Sequence, residues 1–157
     1  MSWRRLRTLL LREVRASFRD PFTVTVLIAV PLIAQGVPLV CGASPLPQAI
    51  AAAFLRWRPT VFPSVPSVWR ALVAADLSRA ALASLRVAIS AGAPLPPETA
   101  REFAAKFGRR LHAFYGSSET GGIAYDRSGG ATLAGGVGPA LQGVRITRLR
   151  GQRIRVG

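Results

Sequence analysis

Residues 85–115 constrain the fold more than any other stretch. An apolar run that reads as a buried strand, LRVAI at 85–89, leads into a small-residue loop, SAGAP at 90–94. A helix pattern starts near Pro96, and a second strand-like run, RLHAFY, fills 110–115. The helix carries its own punctuation: proline in the first turn, Glu98 and Glu102 toward its N-terminal end, Phe103 and Phe107 four apart, and Gly108 as a stop. Strand, helix, strand in that rhythm predicts a parallel or mixed α/β sheet.

The flanks extend the alternation. Residues 46–57 (LPQAIAAAFLRW) and 67–75 (SVWRALVAA) read as helices, with a short strand at 59–63 (PTVFP) between them. Residues 144–149 and 153–156 read as two final strands, and the glycine-rich 128–138 as a loop. At 157 residues, half of them hydrophobic and 18% charged, the chain can bury one core and has no disorder signature.

Residues 1–19 (MSWRRLRTLLLREVRASFR) are of another kind. Leu6, Leu9, Leu10 and Val14 recur at helical spacing among arginines, the pattern of a basic amphipathic helix. Asp20-Pro21 breaks it, and residues 22–34 (FTVTVLIAVPLIA) are apolar and uncharged. A bilayer span needs about 20 such residues, a length this run reaches only through Gln35, Gly36 and Pro38. A membrane segment and a buried core element both remain open. The arrangement weakly resembles the N-terminal end of permease subunits of ABC-type exporters, over about 35 residues. The expected division is therefore residues 1–35, a basic helix plus apolar segment, and residues 36–157, the α/β part. The protein is expected to be cytoplasmic, with residues 1–40 as its point of contact with the inner face of the membrane.

The formal net charge of +14 favours phosphate-bearing partners in general. Of the 21 basic residues only Lys106 is lysine, the arginines are scattered, and no interleaving with aromatics marks a specific nucleic-acid surface. Cys41 is alone, which excludes an intrachain disulfide and a CxxC metal site. His112 is the single histidine, so any Ser-His-Asp hydrolase chemistry would depend on it.

In open α/β sheets ligands gather where strands end. Two such transitions stand one helix apart, SAGAP at 90–94 and FYGSSETGG at 114–122. If their strands are neighbours, both loops leave the same edge. Gly92, Ala93 and Pro94 then offer a flat wall, and Tyr115 a ring facing it, an arrangement suited to adenine. Gly116 lets the chain turn, Ser117 and Ser118 present hydroxyls to phosphate oxygens, and Glu119 is a hard oxygen ligand for a phosphate-borne magnesium ion. The competing reading is a polar turn in which Ser118 and Glu119 cap a short helix. Residue chemistry leaves both open.

The segment YGSSETGG, with SAGAPL upstream, resembles the adenylate-forming acyl ligases, the ANL superfamily of acyl-CoA synthetases, nonribosomal-peptide adenylation domains and luciferases. RPTVFPSVPSVWRAL, with Val65, Pro66 and Ser67 near the acyl pocket, PPETAREFAAKFG and GGVGPALQGVRITRLRGQRIRVG are similar to further segments of that family. The resemblance runs over roughly residues 36–157. It implies that Tyr115 stacks on adenine, that Ser118 meets the adenylate phosphate, that Glu119 binds magnesium, and that Gly92, Ala93 and Pro94 pack on the other adenine face. Ser118 and Glu119 would be the catalytic pair, with Gly116 and Ser117 beside them at the nucleotide. Ala113 stands where family members often carry an amide reaching the adenine edge.

The implied reaction joins a carboxylic acid, fatty in preference to amino, to ATP as an acyl adenylate, then passes the acyl group to CoA or a carrier thiol. The family's phosphate loop should lie upstream of residue 36, where this sequence has the arginine helix and apolar run. A ribose-holding aspartate and a catalytic lysine should lie beyond the last residue. The chain is accordingly expected to be a partial AMP-binding domain, inactive by itself. The alternative expectation is a membrane-anchored noncatalytic protein or a relic fusion.

Overall fold

The structure, a computed structural model, describes residues 35–42, 44–117, 120–148 and 154–157. The basic helix pattern at 1–19, the apolar run at 22–34, and both Ser118 and Glu119 lie outside the described residues. Residues Gly42–Gly157 form one compact unit, to which all the elements below belong.

Three helices share one way of starting. α1 (Pro47–Trp57), α2 (Pro66–Ala74) and α3 (Pro97–Phe107) each have proline in the first turn, where its missing N–H costs no helical hydrogen bond. α3 ends at Gly108 in the left-handed conformation, as its sequence predicts. Between the helices run β1 (Val61–Ser64), β2 (Val87–Ser90) and β3 (Leu111–Ser117), followed by β4 (Gly121–Tyr125) and a single helical turn, α4 (Gly130–Leu133). The sheet order is β1-β2-β3-β4, with the first two pairings parallel and the last antiparallel. This is the mixed α/β sheet expected from the alternation. β5 (Ile146–Arg148) and β6 (Ile154–Val156) pair antiparallel in a separate two-stranded sheet.

The core draws on Ile50 and Phe54 of α1, Trp69 and Leu72 of α2, Ala88 of β2, Phe103 and Phe107 of α3, and Leu111 of β3, with Phe62 of β1 packed against them. An aromatic file runs through it, Phe54 to Phe62 to Trp69 to Phe103, with successive centroids 5.6, 5.2 and 5.2 Å apart in edge-to-face contact. The lone lysine closes a helix end. Lys106 Nζ donates to the carbonyls of Leu72 at 3.3 Å, Val73 at 2.8 Å and Ala75, placing its charge where the last carbonyls of α2 have no helical partner.

Three expectations need correction. β3 does not stop at Tyr115: it continues to Ser117 through an irregularity between Tyr115 and Gly116. The cause is β4, which the glycines of 121–122 disguised as part of a turn. Gly116 therefore does not let the chain turn there; it lets β4 close in, since a Cβ at Gly116 would stand 2.5 Å from the carbonyl oxygen of Gly121. Finally, 128–138 is not all loop, because α4 interrupts it. Among the described residues no helix is long and apolar enough to cross a membrane.

Candidate functional site

β2 and β3 are parallel neighbours in the register Ala88↔Leu111, Ile89↔His112, Ser90↔Ala113, so the segments that follow leave the sheet at the same edge. A cavity of about 310 Å³ opens there. Residues 92–95 line it from the loop after β2, residues 113–116 from β3, and residues 135–137 from the segment after α4. Ser90 and its register partner Ala113, only 3% and 6% exposed, form the floor. No charged side chain is among the described lining residues.

Local sequence explains the shape. Gly92 sits at φ +86°, a conformation costly for any residue with a Cβ, and it turns the chain directly after β2. The turned loop lies against Val65, at the N-terminal end of α2, whose Cγ1 would be 3.5 Å from a Cβ on Gly92. A hydrogen bond from Ala91 N–H to the Ser64 carbonyl, 3.0 Å, joins the same two segments. Tyr115 is 42% exposed, so its ring is not consumed by the core.

Of the residues singled out from the sequence, Gly92, Ala93, Pro94, Tyr115 and Gly116 line one cavity. Ser117 stands outside that lining. Its Oγ lies 2.9 Å from Thr120 Oγ1 and accepts from Thr120 N–H at 3.3 Å, so its hydroxyl is engaged between the end of β3 and the start of β4. Ser118 and Glu119 fall outside the described residues. His112 Nδ1 lies 2.9 Å from the Asp126 carbonyl, to which it donates, so the ring is anchored to the backbone of the next segment. Cys41 is exposed.

The cavity's remaining side is held by residues that none of the sequence motifs above contains. Asp126, 2% exposed, accepts at Oδ1 from Ser128 N–H (3.1 Å), Ser128 Oγ–H (3.0 Å) and Gly129 N–H (3.0 Å). At Oδ2 it accepts from Thr132 N–H (2.7 Å) and Thr132 Oγ1–H (2.8 Å). Thr132 Oγ1 in turn accepts from the N–H of Ala113 at 3.0 Å, and Asp126 N–H donates to the Ala113 carbonyl at 2.9 Å. One carboxylate thus ties the floor of the cavity to α4 and to the Gly135-Gly136 wall beyond it. Burial pushes the Asp126 carboxyl up, but the bonds from Thr132 and Ser128 outweigh it and hold the group below its ordinary value of 3.8. The signal was present in the spacing: an aspartate followed at two and three positions by Ser128 and Gly129 is an Asx-turn pattern.

The cavity, uncharged among its described lining residues, stands at the ends of the parallel strands β2 and β3, the edge at which open α/β sheets hold ligands. Residues 21–149 match the family described as AMP-binding enzyme, and the chain belongs to that family. The match begins within the N-terminal stretch likened above to exporter permeases and takes in the apolar run. The mitochondrial acyl-coenzyme A synthetase ACSM4 of Rattus norvegicus is 37% identical over 82 residues, covering 52% of this chain and 14% of that protein. ATP-bound MatB from Rhodopseudomonas palustris has the same fold over 69% of this chain and 22% of its own, with a TM-score of 0.59 and 32% identity. A benzoate CoA ligase from Burkholderia xenovorans LB400 is similar over the same shares, with a TM-score of 0.58 and 29% identity. The chain thus spans a small part of the length of these three proteins, between 14% and 22%.

Proposed function

We propose that this chain is the adenine-holding part of an AMP-forming acid–thiol ligase that activates a fatty acid. The observation that supports it most is the meeting of the Gly92-Ala93-Pro94 loop and Tyr115 in one uncharged cavity. A ring bound there would have small-residue backbone on one face and the phenol on the other, with no charged side chain among the described lining residues to desolvate. In the reaction, the acid's carboxylate oxygen forms a bond to the α-phosphorus of ATP as the bond to pyrophosphate breaks. A thiolate, of CoA or of a carrier, then takes the acyl carbon and AMP leaves. Ser118 would meet the phosphate and Glu119 would hold its magnesium ion.

The acyl preference and CoA as acceptor draw support from the acyl-coenzyme A synthetase relative and from the apolar segments beside the site. Residues 36–157 are assigned to the adenylate-forming part and residues 1–35 to a segment of their own. The cavity lining among the described residues has no cation to meet phosphate charge developing in the transition state, which supports adenine binding without turnover by the isolated chain.

Calorimetric titration with AMP tests the reading. Tyr115→Ala is expected to weaken binding by about 5- to 150-fold, the range set by about 1–3 kcal/mol of stacking per base. Its thermal midpoint should barely move, because the ring is substantially exposed. A wild-type chain that does not bind AMP overturns the proposal. ATP–pyrophosphate exchange with a panel of fatty acids should show no turnover. Robust exchange that disappears in Glu119→Ala would refute the claim of inactivity while upholding the ligase chemistry.

A further inference from the structure

Ser90 is the last residue of β2 and lines the floor of the cavity. It is 3% exposed, and its Oγ has no hydrogen-bond partner among the described residues. A buried hydroxyl without a partner costs free energy, so a position that serves only packing favours alanine or a hydroxyl bonded to backbone. Neither is the case here. Its two register partners do not satisfy it: Ala113 offers only a methyl group, and the Ser64 hydroxyl on β1 makes no hydrogen bond to it. The backbone groups of Ala113 are committed elsewhere: its N–H to Thr132 Oγ1, and its carbonyl to Asp126 N–H.

A flat ring held between residues 92–94 and Tyr115 turns its faces to those walls and an edge to the floor. From this we infer that Ser90 is a specificity-determining residue, its Oγ hydrogen-bonding the amino-substituted edge of the bound base. A hydroxyl suits that edge because it can accept from an exocyclic amine and donate to a ring nitrogen. The inference rests on the adenine reading of the cavity and adds to it the group that distinguishes one base from another. Without ligand the Oγ is an unpaired buried atom; with ligand it is satisfied, so its contribution appears only in the bound state.

The test is a double-mutant cycle by calorimetry on the full chain, with Ser90→Ala as the protein change and purine riboside monophosphate, which lacks the 6-amino group, as the ligand change. Ser90→Ala is expected to weaken AMP binding about two- to tenfold, and wild type to bind purine riboside monophosphate more weakly than AMP by a similar factor. The variant should bind both nucleotides alike. Its thermal midpoint without ligand should equal or exceed that of wild type, since an unpaired polar atom has been removed. Equal weakening toward both nucleotides, unchanged AMP affinity, or a lowered ligand-free midpoint would each overturn the role of Ser90. The first two would leave the adenine reading intact, whereas failure of wild type to bind either nucleotide would remove both.

Discussion

Asp126→Ala is expected to cost about 3 kcal/mol of folding stability, measured by urea denaturation at neutral pH. The carboxylate accepts five hydrogen bonds, and three of the donors it would abandon, the N–H groups of Gly129 and Thr132 and the Thr132 hydroxyl, are buried. Each buried donor left unpaired costs about 1–3 kcal/mol, and the sum is reduced by whatever relaxation lets water reach the 126–132 turn. The damage should reach the site, because the Thr132 hydroxyl that loses its acceptor also holds the N–H of Ala113 on the cavity floor. Weaker AMP binding should therefore accompany the loss of stability.

The same carboxylate gives the chain an acid dependence. Its folded-state pKa lies below its ordinary value of 3.8, so the unfolded chain takes up the proton first as pH falls. The stabilisation is complete at pH values above that ordinary value and is lost as pH falls through the lower, folded-state value. Wild type and Asp126→Ala should converge in stability across that acidic window and stay apart above it. A gap that is constant from neutral pH down through the window would show that the carboxylate's hydrogen bonds do not carry the effect.

Much of this architecture was legible because the determinants are local. Prolines start α1, α2 and α3, Gly108 ends α3, and the alternation of apolar runs with a punctuated helix is enough to specify parallel strands β2 and β3. Adjacency of those strands then brings residues 92–94 to Tyr115, as a purely topological consequence. β4 escaped because Gly121 and Gly122 carry no strand propensity. Gly121 takes a left-handed φ of +68°, and Gly122 allows close approach: a Cβ there would meet the Phe114 ring at 2.9 Å and Leu141 at 2.7 Å. The Asp126 network escaped for a different reason. Its turn pattern is visible in the sequence, but its importance comes from the bond between Thr132 and Ala113, nineteen residues apart, which no local pattern encodes.

Trp69→Ala should be the more damaging core change, with an expected loss of about 3–5 kcal/mol. The side chain is fully buried, meets Phe62 and Phe103 edge to face at 5.2 Å each, and joins α2 to β1 and α3. No single movement of its neighbours refills that volume, because they belong to different elements. By calorimetry the midpoint should fall by on the order of 15 °C or more for a unit of this size. Trp69→Phe provides the contrast. The indole Nε1 is buried without a partner among the described residues, so phenylalanine removes an unsatisfied polar atom while retaining much of the ring contact, and about 1 kcal/mol is expected. If Trp69→Phe proved as damaging as Trp69→Ala, the indole N–H would have to be satisfied in solution. The consequence for the site follows the chain: loss of the indole loosens the first turn of α2, where the backbone N–H of Trp69 bonds the Val65 carbonyl at 3.4 Å, and Val65 supports the loop at Gly92. Affinity for AMP should consequently fall in Trp69→Ala under conditions where it remains folded, and persist in Trp69→Phe.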